Sequence, residues 1–235
     1  MYVLILAGGE GKRMESSLPK VLHHFHGKPM IVCILETVLQ LNPEVIYIVV
    51  GKHQSRIKET LDEHFPHRIF LFIEQSIPLG TGDAVYQVLP YLPSNNNILI
   101  VNGDTPNLHV GVLKEAIATE NCVLSMELDS PKGYGRIITD EKGLVKIIEE
   151  KDANETEKKI KLVNSGIYYF HSSVLQNLIP KITSKNAQRE FYLTDVVSLC
   201  RYHDIMVHTK TIPTFWKKYI LGVNTKADLE ELQKL

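Results

Sequence analysis

The chain reads as an α/β protein built on a mostly parallel sheet with helices on both faces, and three observations predict that class. Apolar runs without alternation recur at residues 2–6, 45–50 and 97–101, the pattern of strands buried on both faces. Amphipathic stretches alternate with those runs, as βαβ units require. Glycine-rich or polar turns follow the runs at their carboxyl ends, where open α/β sheets place ligands.

Taken in order, the first strand, residues 2–6, breaks into a loop holding Gly8, Gly9, Gly11, Lys12 and Arg13, followed by Pro19 and Lys20. The glycines bring bare N–H groups close to a ligand. Arg13 offers a planar fork to phosphate oxygens, and Lys20 a mobile point charge. The loop suits a nucleoside triphosphate, yet two familiar patterns fail. A Walker loop needs Ser or Thr after Gly-Lys, where Arg13 stands; the dinucleotide fingerprint needs a third glycine, where Met14 stands. Residues 29–41 then read as a helix with Pro29 near its first position and Ile31, Ile34, Leu35, Val38 and Leu39 on one side. Residues 45–50 form a second strand, 53–64 an amphipathic surface helix and 69–73 a third strand. Leu79, Gly80, Thr81 and Gly82 stand at a strand-to-helix junction. Either Thr81 caps a helix running to about Tyr91, or Thr81 and nearby N–H groups face a base or ribose. A fourth strand, 97–101, delivers Asn102, Gly103 and Asp104. A carboxylate there reads as a Mg²⁺ ligand shared with phosphates, or as a turn residue capping a helix near His109.

Beyond a further strand at 122–128 the texture changes to short strands and polar turns, through about residue 150. A second glycine loop, Gly133 to Arg136, precedes a hairpin of residues 137–138 with 144–148 around a turn at 140–143. Residues 154–161 read as a charged, solvated segment. Residues 163–170 form a strand in which Gly166 marks close approach of a ligand. The polar stretch 186–195 opens a helix through Cys200 and reads as a sugar pocket or as capping. Residues 216–221 read as a strand. Asn224 then either caps the final helix or offers an amide oxygen to a metal.

Composition narrows the function classes. Of 235 residues 44% are hydrophobic and 23% charged, the balance of an ordinary soluble protein. A net charge of -1 gives no reason to expect nucleic acid or an acidic membrane. No apolar run approaches the ~18 residues that span a bilayer, and residues 1–5 lack the basic region of a signal peptide. Cys33, Cys122 and Cys200 are odd in number and widely spaced, which predicts reduced core thiols in a cytoplasmic protein. His23, His24 and His26 lie in a loop without a nearby carboxylate or cysteine and are read as ordinary loop residues. No serine sits on a nucleophile elbow.

The blocks Leu6 to Met14, Leu18 to Lys20 and Gly27 to Met30, joined by those at 79–82, 133–137, 149–153, 186–195 and 222–224, resemble the sugar-1-phosphate nucleotidyltransferases. Within them the chain is most similar to the uridylyltransferase domain of the bacterial GlmU group, which makes UDP-N-acetylglucosamine. The resemblance covers nearly the whole chain. It implies a Rossmann-like, GT-A-like fold as one unit, residues 1–235. About 1–128 would be the nucleotide-binding core, and about 129–235 a small β-rich sugar-binding lobe with closing helices. It implies that Leu6, Ala7, Gly8, Gly9, Gly80, Thr81 and Gly103 hold the nucleotide and that Gln75 reads the uracil edge. Arg13 and Lys20 match the triphosphate-binding cations, and Asp104 and Asn224 the Mg²⁺ ligands. Gly135, Glu149, Asn164, Glu190, Tyr192 and Thr194 match the N-acetylglucosamine side. The implied reaction is attack of N-acetylglucosamine 1-phosphate on UTP with release of pyrophosphate. Alternatives are another sugar 1-phosphate, or a nucleotide-sugar-binding regulator without catalysis. Gly8, Glu10, Pro78, Asn102 and Arg189 depart from the family pattern; Glu10 sets a negative charge near the phosphates. With no hexapeptide repeat after Asn224, the expectation is uridylyl transfer alone, without acetyl-CoA or an inherited trimer.

Overall fold

The computed structural model describes residues 1–141 and 143–235. In chain order the elements are β1 (Tyr2–Leu6), β2 (His24–Phe25), β3 (Lys28–Pro29), α1 (Met30–Val38), β4 (Val45–Val50), α2 (Gln54–His64), β5 (Leu71–Glu74) and α3 (Thr81–Val88). They continue as β6 (Asn97–Asn102), α4 (Val110–Ile117), β7 (Cys122–Glu127), β8 (Arg136–Asp140), β9 (Gly143–Ile148), β10 (Leu162–His171), α5 (Ser172–Leu178), α6 (Asp195–Tyr202), β11 (His208–Thr211) and α7 (Lys226–Leu232). The main sheet runs β11-β7-β10-β6-β1-β4-β5, with the β8–β9 hairpin attached to β10. Every strand of that path points the same way except β10, which opposes both β6 and β7. The sheet is thus mostly parallel, as its apolar runs require.

Period-two alternation divides each buried strand between two core layers. Val3 and Ile5 pack with Ile48, Leu99 and the inner faces of α1, α2 and α4. Leu4 packs with Val49, Ile98, Ile100 and residues of α3, α5 and α6. Both faces need apolar cover, so both sets of side chains are apolar and the runs show no alternation.

Register gathers the site. Leu6 pairs with Val49 on one side and Asn102 on the other, and Val50 pairs with Glu74. The carboxyl ends of β1, β4, β5 and β6 therefore reach one edge together. Ala7, Gln75 and Asp104 all leave the sheet there.

Several local expectations are corrected. The third strand starts at Leu71, and Ile69 is 88% exposed, because this edge segment has no cover to turn towards. Residues 216–221 are not a strand: Thr214–Tyr219 is a 3₁₀ helix entered through Pro213. Three residues per turn set Trp216 and Tyr219 on one side, against His109 at 6.2 and 5.0 Å between ring centroids. The true edge strand there is β11, parallel to β7; its sequence, His-Thr-Lys-Thr, carries no apolar signal. At Gly166, φ +79, an added Cβ would press on the Asn102 side chain, and Asn102 itself lines the cleft described below. The segment 154–161 is more than a wet surface, since the Lys158 carbonyl accepts from the buried Arg136.

Candidate active site

The first loop is anchored by backbone bonds, Ala7 N–H to Val49 O (2.8 Å) and Gly103 N–H to Leu6 O (2.9 Å). At Gly11 the backbone has φ +62, and a Cβ there would lie 2.7 Å from the Lys20 Cβ. Only glycine allows both the left-handed turn and this approach. The turn leads into the 3₁₀ segment Lys12–Met14, and Pro19 opens a second one, Lys20–Leu22.

Four predicted residues converge on one point. The Lys20 ammonium lies 2.6 Å from Asp104 Oδ2 and 3.0 Å from Asn224 Oδ1. Arg13 Nη2 donates to the same Asn224 oxygen at 2.8 Å. Asn224 arrives because Val223 N–H donates to the Asp104 carbonyl at 2.8 Å, docking the carboxyl-terminal segment beside β6. The helix cap is Thr225, in a capping box with Asp228. That corrects the reading of Asn224 as a cap, and its side chain is left to face the two cations. Asp104 does not cap α4 either, since His109 does so through Nδ1.

Around this point opens a cleft of about 510 Å³, lined by Leu6, Ala7, Gly8, Gly9, Arg13, Lys20, Gln75, Gly80, Thr81, Gly103, Asp104, Glu190 and Asn224. Glu10 lines it too, but its carboxylate is held by Lys12 (2.6 Å) and Lys52 (3.2 Å). Those two ammonium groups lower its pKa. The negative charge expected beside the phosphates is thereby neutralised.

Gln75 is 5% exposed and locked: its Nε2 donates to Gly80 O (3.0 Å) and to Asp83 Oδ2 (2.7 Å). Thr81 does not cap α3. Its hydroxyl accepts from Leu193 N–H at 3.0 Å, while Gly82 N–H donates to Phe191 O at 2.7 Å and Phe191 N–H to Leu79 O at 2.8 Å. Segment 190–193 is thus laced across the 79–82 loop. Gly80, at φ +114, could carry no side chain, because a Cβ would lie 2.5 Å from the Phe191 carbonyl oxygen.

The other predicted residues gather beyond that seam. Thr194 Oγ1 donates to Glu149 Oε1 at 2.9 Å, and a Cβ on Gly135 would lie 3.6 Å from the same carboxylate. Asn164 N–H donates to Gly135 O at 2.9 Å, and its Nδ2 to Tyr168 Oη at 2.6 Å. Burial raises the Glu149 pKa, opposed by the Thr194 hydrogen bond and helped by Asp195, Asp152 and Glu190. Burial, then Asp152, also pushes the Tyr192 phenol up. Arg136 is almost wholly buried and braces the cluster from behind. It binds the Tyr134 carbonyl, Glu150 Oε2 at 2.6 Å and the Lys158 carbonyl at 3.3 Å. Sequence reasoning missed Asp83 and Tyr168; neither lies in a telling motif, and only the fold shows that each grips a predicted residue.

Residues 2–217 match the family model for nucleotidyl transferases, and the chain belongs to that family. It is 41% identical over its whole length to a probable UDP-N-acetylglucosamine pyrophosphorylase of Acanthamoeba polyphaga mimivirus, covering 96% of that protein. It is 39% identical to the bifunctional protein GlmU of Thermoanaerobacter pseudethanolicus and 36% to that of Legionella pneumophila (strain Corby). It spans about half the length of these two, 51% and 52% respectively. Among solved structures, a putative glucose-1-phosphate thymidylyltransferase from Bacillus anthracis superposes with a TM-score of 0.76 at 18% identity, over 99% of this chain and 93% of that one. The inositol-1-phosphate CTP transferase of T. maritima does so with 0.76 at 17%, over 99% and 94%. These two likenesses establish the fold.

Proposed function

We propose that the chain transfers UMP from UTP to N-acetylglucosamine 1-phosphate, giving UDP-N-acetylglucosamine and pyrophosphate. The observation that carries this reading is the meeting of Lys20, Arg13, Asp104 and Asn224 at the mouth of a glycine loop. The family and the names of the 41% and 39% identical relatives support the substrates. We read residues 1–235 as one working unit, with the nucleotide on the 1–128 side and the sugar on the other.

A phosphate oxygen of the sugar 1-phosphate attacks the α-phosphorus of UTP in line. The bond from that phosphorus to the bridging oxygen breaks, and pyrophosphate leaves with the electron pair. The nucleophile is already an anion, so no general base is required. The obstacle is repulsion between anions. Arg13 and Lys20 neutralise and orient the triphosphate, while loop N–H groups hold it near the attacking oxygen.

Nucleotidyl transferases generally use a divalent metal. The donors here fit Mg²⁺: the Asp104 carboxylate and the Asn224 amide oxygen already converge on one positive group, the Lys20 ammonium. Hard oxygen donors, few in number and completed by phosphates and water, are what Mg²⁺ takes. Bound there, it would supply charge neutralisation. Glu149, Asn164, Tyr192 and Thr194, with Gly135 and Glu190, form the sugar side.

The test is pyrophosphate release with UTP, Mg²⁺ and N-acetylglucosamine 1-phosphate, set against glucose, galactose and glucosamine 1-phosphates. Preference for the N-acetylated sugar is expected. Asp104→Asn should lower turnover at least about a hundredfold with an unchanged melting temperature. Silence on all four sugars from folded wild-type protein would overturn the reading.

A further inference from the structure

We propose that Asp83, in the first turn of α3, is a positioning residue that sets base selectivity. It fixes the Gln75 amide so that the cleft is offered an acceptor alone, which favours bases carrying N–H at ring position 3 over cytosine. This rests on the reading above in that Gln75 faces the base.

Asp83 Oδ2 lies 2.7 Å from one end of the Gln75 amide, and the Gly80 carbonyl oxygen lies 3.0 Å from it. A carboxylate and a peptide carbonyl can only accept, so the end held between them has to be the NH₂ group. A flipped amide would set three oxygens against one another. Both N–H bonds of Nε2 are consumed by these two contacts. What is left is Oε1, on the side of Gly8, where an added Cβ would lie 3.0 Å from it. Both Gly8 and Gln75 line the cleft. Asp83 is itself held, since its Oδ1 accepts from Gln87 Nε2 at 3.0 Å. Gln75, at 5% exposure, has little water to compensate a wrong orientation.

Uracil presents N3–H to an acceptor opposite that position and gains a hydrogen bond. Cytosine presents the N3 lone pair, so two acceptors would face each other at the little-exposed Gln75 amide. A site built to pair with one edge rejects the base lacking it because its own group is left unpaired.

The experiment is equilibrium binding of UTP and CTP by titration calorimetry, with pyrophosphate release run in parallel, on wild type, Asp83→Ala and Asp83→Asn. Wild type should bind UTP more tightly than CTP. Asp83→Ala should cut that preference by about tenfold, the worth of one hydrogen bond. Asp83→Asn retains an acceptor oxygen towards Nε2 and should keep most of it. An undiminished preference in Asp83→Ala, or an equal loss in both variants, overturns the proposal. So does a wild type that binds both nucleotides alike or neither. Selective binding without turnover would instead overturn the catalytic reading and leave the role of Asp83 standing. If Asp83→Ala does not fold, Asp83→Leu, a closer match in shape, carries the same expectation.

Discussion

Gly11 and Lys20 are packed so closely that the first loop has one workable shape. Gly11→Ala would force a non-glycine residue to φ +62 and press a methyl group 2.7 Å from the Lys20 Cβ. The expected cost is about 1–2 kcal/mol of stability from the backbone. Activity should fall further, at least tenfold in kcat/KM, because Lys20 is displaced; steady-state kinetics beside a thermal melt separate the two effects. Glu149 makes a second prediction at this scale. Burial raises its pKa in the folded chain above the ordinary 4.5. Between those two values the folded state holds more protons than the unfolded one, so stability is lost as pH rises through that window. Glu149→Gln should flatten this part of the pH profile, measured as melting temperature from about pH 4 to 7. Which residues meet was legible in the sequence where charge and glycine sit together, as at Gly11, Arg13, Lys20 and Asp104. It was illegible at Asp83, whose partner is eight positions away and meets it only once α3 is packed.

The 79–82 loop and the 190–193 segment behave as one element. Thr81→Val keeps the shape of the side chain and removes the acceptor for Leu193 N–H, leaving a part-buried donor unpaired at a cost of about 1–3 kcal/mol. The expected result is a raised KM for the sugar phosphate at saturating UTP, with Thr81→Ser close to wild type. An unchanged KM in Thr81→Val would show that the seam is incidental. Elements were readable from sequence in proportion to burial. β1, β4 and β6 announce themselves because both faces need apolar side chains. β11 is invisible because an edge strand of His, Thr, Lys and Thr has one paired side and little cover. The aromatic-rich stretch 215–219 misleads for the opposite reason: its rings are apolar enough for a strand, yet Trp216 and Tyr219 pack on His109 from a tight helix.

Across the whole molecule, the loops at the carboxyl ends of β1, β5 and β6 line the cleft, joined there by Glu190 and Asn224 from later in the chain, while the β8–β9 hairpin is attached to β10. Arg136 ties that hairpin to the chain around it. Replacing it with Met would leave the part-buried Glu150 and two carbonyls without their partner, and polar groups left unpaired in this way cost about 1–3 kcal/mol. A lowered urea midpoint checks this, and the KM for the sugar phosphate should rise more than that for UTP. The general architecture was foreseeable because hydrophobic pattern fixes which strands are central. The seam between loop and segment was not, since its bonds run through backbone atoms that every residue shares. That seam also bears on how a mutational survey of this protein should be interpreted. Growth-based scoring would mark every substitution at Gly80 as lethal and tempt the observer to assign it to chemistry. The Phe191 carbonyl is reason enough, and a compensating change in the path of residues 190–192 would restore tolerance where no change in substrate could.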